Sequence, residues 1–147
     1  MAISAENVAD RVDQLIILTE RLTDLITLEA QAFEERRPQD VAPHIEETAR
    51  LANLYRHEST RVRANPALVE TASAAQRTRL IRATEAFDAV LARQGRAIAA
   101  AKTVTEGLVR AIADEVASHR QQTACYGPGA MSDPTAAATA ITLNRRA

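Results

Sequence analysis

The chain is predicted to be all-α: an elongated antiparallel three-helix bundle, or coiled coil, with a long C-terminal helix and a disordered tail. Three observations carry this. Leu80, Thr84, Phe87, Leu91, Ile98, Ala101, Thr105, Leu108 and Ile112 recur with a three-four alternation, flanked by Ala83, Val90, Ala97, Val104 and Ala111. That period belongs to a helix packing on other helices along one seam. Alanine dominates the composition, Trp is absent and aromatics make up 3% of residues, so helix formers prevail and the bulky residues of enzyme pockets are scarce. Finally, Pro38 and Asn65-Pro66 divide the chain into blocks of helical length, and Gly127-Pro128-Gly129 closes the last one.

The first helix is expected over about 4–37. Ser4 and Asn7 are candidate N-caps, and Val8, Val12, Leu15, Leu18, Leu22, Leu25, Ile26, Ala32 and Phe33 form its apolar stripe. Arg36 and Arg37 suit the negative end of its dipole, and Pro38 stops it. A second helix follows over about 41–62, capped by Asp40 and tolerating Pro43 in its first turn. The short connection makes this pair an antiparallel hairpin. Residues 66–72 are expected to form a helical turn, and the third helix runs over about 73–119. Gly95 and Gly107 interrupt it and mark a bend or a close helix approach. Residues 1–120 thus read as one helical domain and 121–147 as the disordered tail.

Leu22, Leu25, Phe87 and Leu91 are expected to occupy successive core positions. Glu29 falls among Leu22, Leu25, Ile26 and Phe33 on the seam, where an arginine of a later helix is its expected partner. Residues 1–47 carry a net charge of −7 and residues 48–120 one of +5, so the first helix and the later ones attract each other. Arg77, Arg79 and Arg82, with Arg56, Arg61 and Arg63, are read as solvated faces rather than a nucleic-acid surface, because no aromatic residues interleave with them.

Chemistry is sparse. Glu-x-x-His pairs of the di-iron kind are missing: His44 precedes its acids, His57 lacks one at the required spacing, and His119 has only Glu115 four residues before it. There is no Gly-rich phosphate loop and no Ser/His/Asp or Cys/His constellation, so neither catalysis, cofactor nor metal is expected. Cys125 is the single cysteine. Acidic residues Glu6, Asp10 and Asp13 stand where a secretory signal requires positive charge, and no apolar run approaches the ~18 residues of a membrane span. The expected location is cytoplasmic, without membrane insertion.

Helix lengths then point to a binding surface. A third helix of about 70 Å outruns a first helix of about 50 Å and a second of about 33 Å, so roughly its last thirteen residues are expected to project past the bundle. These carry Leu108, Ile112 and Val116, an apolar stripe of the kind that marks an interaction site.

The order LITLEAQAFEERRP (25–38), EETARLANLYRHE (46–58) and AKTVTEGLVRAIADEVASHR (101–120), followed by Tyr126-Gly-Pro-Gly129, resembles the FlgN-type flagellar export chaperones, particularly their alphaproteobacterial branch. The likeness spans about residues 8–130. It implies a small cytoplasmic protein that binds hook–filament junction (hook-associated) proteins, keeps them unpolymerised and delivers them to components of the flagellar type III export gate. It also places the client on the C-terminal part, hence on Leu108, Ile112, Val116, Tyr126, Ile141 and Leu143 of this chain. Thr48 stands where related sequences often carry Lys. The alternative reading is a structural coiled-coil homodimer in which two such stripes cover each other.

Overall fold

The computed structural model describes residues 3–125. Its elements are α1 (Val8–Glu34), a 3-10 helix (Pro38–His44), α2 (Ile45–Ala64), the short α3 (Ala67–Glu70) and α4 (Ala74–Cys125), and the described residues contain no strand. The fold is therefore an all-α bundle with a long C-terminal helix. Contacts divide the chain between Thr103 and Val104 into two units.

In the first unit α1 lies at the centre. Val12, Leu15, Ile16, Leu18, Leu22, Leu25, Ile26, Ala30 and Ala32 are all buried. Around Val12 and Ile16, α1 meets Ala72, Val69 and Leu80. Around Leu22 and Ile26 it meets Leu51, Ala52 and Tyr55 of α2 and Phe87 and Val90 of α4. The Tyr55 and Phe87 rings stand 4.8 Å apart at 57°, an inclined aromatic contact. Polar contacts fix the directions. Arg21 reaches Glu47 at 2.9 Å and Arg11 reaches Glu58 at 3.2 Å, so α2 runs antiparallel to α1. Asp13 accepts from Gln76 at 3.0 Å, and Glu34 pairs with Arg93 at 2.6 Å, so α4 runs parallel to α1. The pairs Glu20–Arg79 and Glu34–Arg93 join an acidic α1 to a basic α4.

The N-terminus of α1 begins later than position 4. Asn7 is extended (φ −151°) and its side chain accepts from the Asp10 N–H at 2.9 Å, which makes it the cap. The Glu6 N–H in turn donates to the Asp10 carboxylate, and this bond, with one from Gln14, holds the Asp10 carboxyl below its ordinary value. The C-terminus also differs from expectation. Arg37 N–H bonds Ala32 C=O at 2.8 Å and Arg36 N–H bonds Phe33 C=O at 3.1 Å, a Schellman closure that ends the helix at Glu34 before Pro38 is reached. Its left-handed position is filled by Arg36 at φ 58°, a conformation that costs a side-chain-bearing residue about 1–2 kcal/mol relative to glycine. Arg36→Gly should therefore stabilise the bundle by about 1 kcal/mol, read as a rise of roughly 4 °C in thermal midpoint.

Asp40 does not cap α2. It pairs with Arg37 at 3.0 Å inside the 3-10 segment, and α2 starts at Ile45. Pro43 has no N–H for the Gln39 carbonyl, so an i→i−4 ladder cannot pass through it. Helix α4 runs on to Cys125, so residues 121–125, expected in the tail, are helical. Gln121, Gln122 and Ala124 favour helix, and no breaker occurs before Gly127. Residues 126–147 lie outside the described residues.

Three side-chain expectations are corrected. Leu91 is 39% exposed and is not core; Ala83, Phe87 and Ala97 are the buried residues of α4, with Leu80, Val90 and Gln94 half-buried beside them. The small side chains of Ala83 and Ala97 let α4 turn that flank inward, which rotates Leu91 and Ile98 out. Glu29 is buried, but its partner is Gln94, which donates at 2.6 Å, because Arg93 is committed to Glu34. Gly95 and Gly107 mark no close approach: a Cβ added to either meets nothing within 4 Å.

Glu58 is the least expected member of the core. It is fully buried on α2, its carboxylate accepting from the Ile3 N–H at 3.0 Å, Arg11 at 3.2 Å and Arg61 at 3.1 Å, with His57 Nδ1 at 3.5 Å. Residues at the start of the chain are thus tied to the second helix. Thr48 is half-buried, and its hydroxyl oxygen lacks a hydrogen-bond partner, a feature nothing in the structure explains.

Candidate interaction surface

The second unit is built on the stretch of α4 that follows Thr103, and every side chain from 102 to 125 is exposed. Helix-forming residues sustain α4 here, yet its apolar pattern does not stop. Leu108 is 60% exposed, Ile112 55% and Val116 45%, and Val104 and Val109 are equally open. Three charged side chains lie elsewhere. Glu106, Arg110 and Asp114 fall on the opposite side of the helical period. Glu115 and His119 pair with each other at 3.4 Å, and the Thr123 hydroxyl donates back to the His119 carbonyl. The two residues read from sequence as the nearest approach to a ligand pair thus form a local i,i+4 contact.

Of the six positions singled out for partner binding, Leu108, Ile112 and Val116 lie on one face of this helix, spaced four residues apart. Tyr126, Ile141 and Leu143 lie outside the described residues. Sequence reasoning left out Val109, which repeats at Val116 seven residues on and was legible from that heptad spacing. Chemically the surface offers aliphatic area, with the Glu115–His119 pair on the same face towards its C-terminal end. Among the described residues no group of three or more His, Cys, Asp or Glu side chains is placed to hold a metal ion. None of the described helices is long and apolar enough to cross a membrane.

In the first unit a groove of about 270 Å³ opens between α2 and α4 above Leu15 and Thr19, walled by Tyr55, Val62, Leu80 and Thr84 with Arg63 at its edge. Its single cation has no acid or base within that lining.

The described residues form an all-α fold in which α4 carries an exposed aliphatic stripe. No protein-family model matches the chain, and no solved structure does. A protein of Caulobacter vibrioides named flagellar basal-body protein FlbY is 64% identical over 149 aligned residues, which span the whole of both chains. The chain belongs to the family of that flagellar protein.

Proposed function

We propose that this chain is a cytoplasmic, non-catalytic export chaperone of the FlgN type. It holds helical segments of hook–filament junction proteins against Leu108, Ile112 and Val116 of α4, prevents their premature assembly and presents them to the type III export gate. The observation that carries the reading is the aliphatic stripe left open on α4 in a member of a flagellar family. An amphipathic client helix lays its apolar face on such a stripe, the helix-in-groove mode of recognition. Client helices that would otherwise pair with one another are capped in this way. Tyr126, Ile141 and Leu143 belong to the same client site in this reading.

Calorimetric titration with a hook–filament junction protein tests it. Ile112→Asp puts an unpaired charge into the apolar contact and should weaken binding by about 3 kcal/mol, roughly a hundredfold. Its melt should match that of the parent chain, because Ile112 is exposed in the free protein. Equal affinity for the two chains would reject the surface, and a parent chain that takes up no client would reject the function.

A further inference from the structure

The outer face of α2 carries cations that no acid of the bundle neutralises. Between residues 49 and 64 the only acid is Glu58, which is fully buried and committed to Ile3, Arg11 and Arg61, whereas Arg50, Arg56 and Arg63 are exposed. Arg56 donates to the neutral amide of Asn53 at 3.3 Å. Arg50 has Glu47 one turn before it, but Arg21 already holds both oxygens of that carboxylate. Among the described residues no acid forms an ion pair with Arg50, Arg56 or Arg63. Their placement makes a trough. At 3.6 residues per turn Arg56 and Arg61 stand about 140° apart around the helix axis, with Arg63 beside the first and Arg50 beside the second. The short neutral side chains of Ala49, Asn53, Thr60 and Ala64 run between these two edges, and an open hollow of about 420 Å³ lies over them. No acid and no aromatic residue of this stretch falls in the arc.

We infer that residues 49–64 of α2 dock an acidic helix of a partner protein, with small residues of that helix in the trough and its carboxylates on the arginines of both edges. The inference stands apart from the chaperone reading, because it uses another helix and another chemistry. Charge selects the occupant: a guanidinium pairs with a carboxylate through two parallel hydrogen bonds, and complementary charges on both flanks of a seam fix which helix is accepted. Shape agrees with charge. The distance between two helix axes depends on the side chains at the contact, so short residues along the middle let a second helix lie close. A nucleic acid finds no ring to stack on here, and a lipid surface finds no aliphatic face to take up. With little apolar area to bury, the contact forms quickly, releases quickly and weakens with salt.

The test uses the full-length chain and a labelled helical peptide with glutamates along both edges of an alanine face, beside a counterpart with glutamines in their place, and reads affinity by fluorescence anisotropy. The acidic peptide should bind at low salt at least tenfold tighter than the neutral one, and the difference should shrink as salt is raised. Arg50→Glu and Arg56→Glu, towards opposite edges of the trough, should each weaken binding at least tenfold. Arg110→Glu makes the same change in net charge at an exposed position of α4 and should leave affinity within twofold. Thermal melts of the three variants should match that of the parent, since each side chain is exposed. Arg56→Gln, which introduces no new charge, should still weaken binding about threefold and separates loss of the contact from loss of the fold. Equal affinity for the two peptides, no binding of either, or an equal loss in Arg110→Glu would overturn the inference. Tighter binding of duplex DNA or of phosphatidylglycerol vesicles, abolished by Arg50→Glu and Arg56→Glu, would assign the trough to phosphates and likewise overturn it.

Discussion

Phe87→Ala should destabilise the bundle by about 3–5 kcal/mol, the cost of removing a large buried ring and leaving a cavity. Phe87 is the point at which all three long helices meet: it touches Leu22 and Ile26 of α1, and Tyr55 of α2 lies against its ring. Truncation there loosens two interfaces together. Leu91→Ala, only four residues away on a side chain that is 39% exposed, should cost well under half as much. Chemical denaturation of the two variants beside the parent chain measures the difference. Equal losses would mean that α4 is rotated relative to the structure described here.

The second large effect concerns Glu58. Glu58→Gln keeps the shape and removes the charge, leaving Arg11 and Arg61 without their anion; the expected loss is about 3 kcal/mol at neutral pH, as for other broken buried pairs. A pH dependence accompanies it. Burial pushes the Glu58 carboxyl up, but the Ile3 N–H, Arg61 and His57 together outweigh burial and hold it below the ordinary glutamate value of 4.5. A carboxyl whose folded value is depressed binds its proton more readily in the unfolded chain. Its contribution is therefore complete above the unfolded value and disappears as pH falls through the lower, folded one. Glu47 and Glu34 are shifted the same way, first of all by hydrogen bonds from Arg21 and Arg93. The parent should accordingly lose stability as pH drops below about 4.5, and Glu58→Gln should lose less over that window. Parallel slopes for the two proteins would remove Glu58 from the acid response.

The helices were legible because their periods are long and their breakers strong. Asn7 as a cap, the turn after Asn65-Pro66 and the antiparallel first pair all follow from local chemistry. What escaped depended on partners distant in sequence. A glutamate on α2 flanked by arginines reads as a solvated residue, and nothing local reveals that the Ile3 N–H, 55 positions earlier, bonds it. The inward turn of α4 was missed for a related reason: Leu91 outweighs Ala97 in any hydrophobic sum, yet packing prefers the small residue where helices approach closely. The stripe of Leu108, Ile112 and Val116 was readable from its four-residue spacing, and all three side chains are exposed.

Helix α1 carries Thr19, Thr23 and Thr27, whose hydroxyls each donate to the carbonyl four residues earlier, at 2.7 Å in all three cases. The hydroxyl hydrogens are thus committed within their own helix. The middle of α1 is positioned against α4 by other groups, the packing of Leu22 and Ile26 on Phe87 and the Glu20–Arg79 pair. Polar contacts at either end add to that alignment, Asp13 with Gln76 and the Glu29–Gln94 and Glu34–Arg93 pair of contacts. A one-turn slip of about 5.4 Å would disengage all of these contacts at once, so the register with α4 is held along the whole of α1.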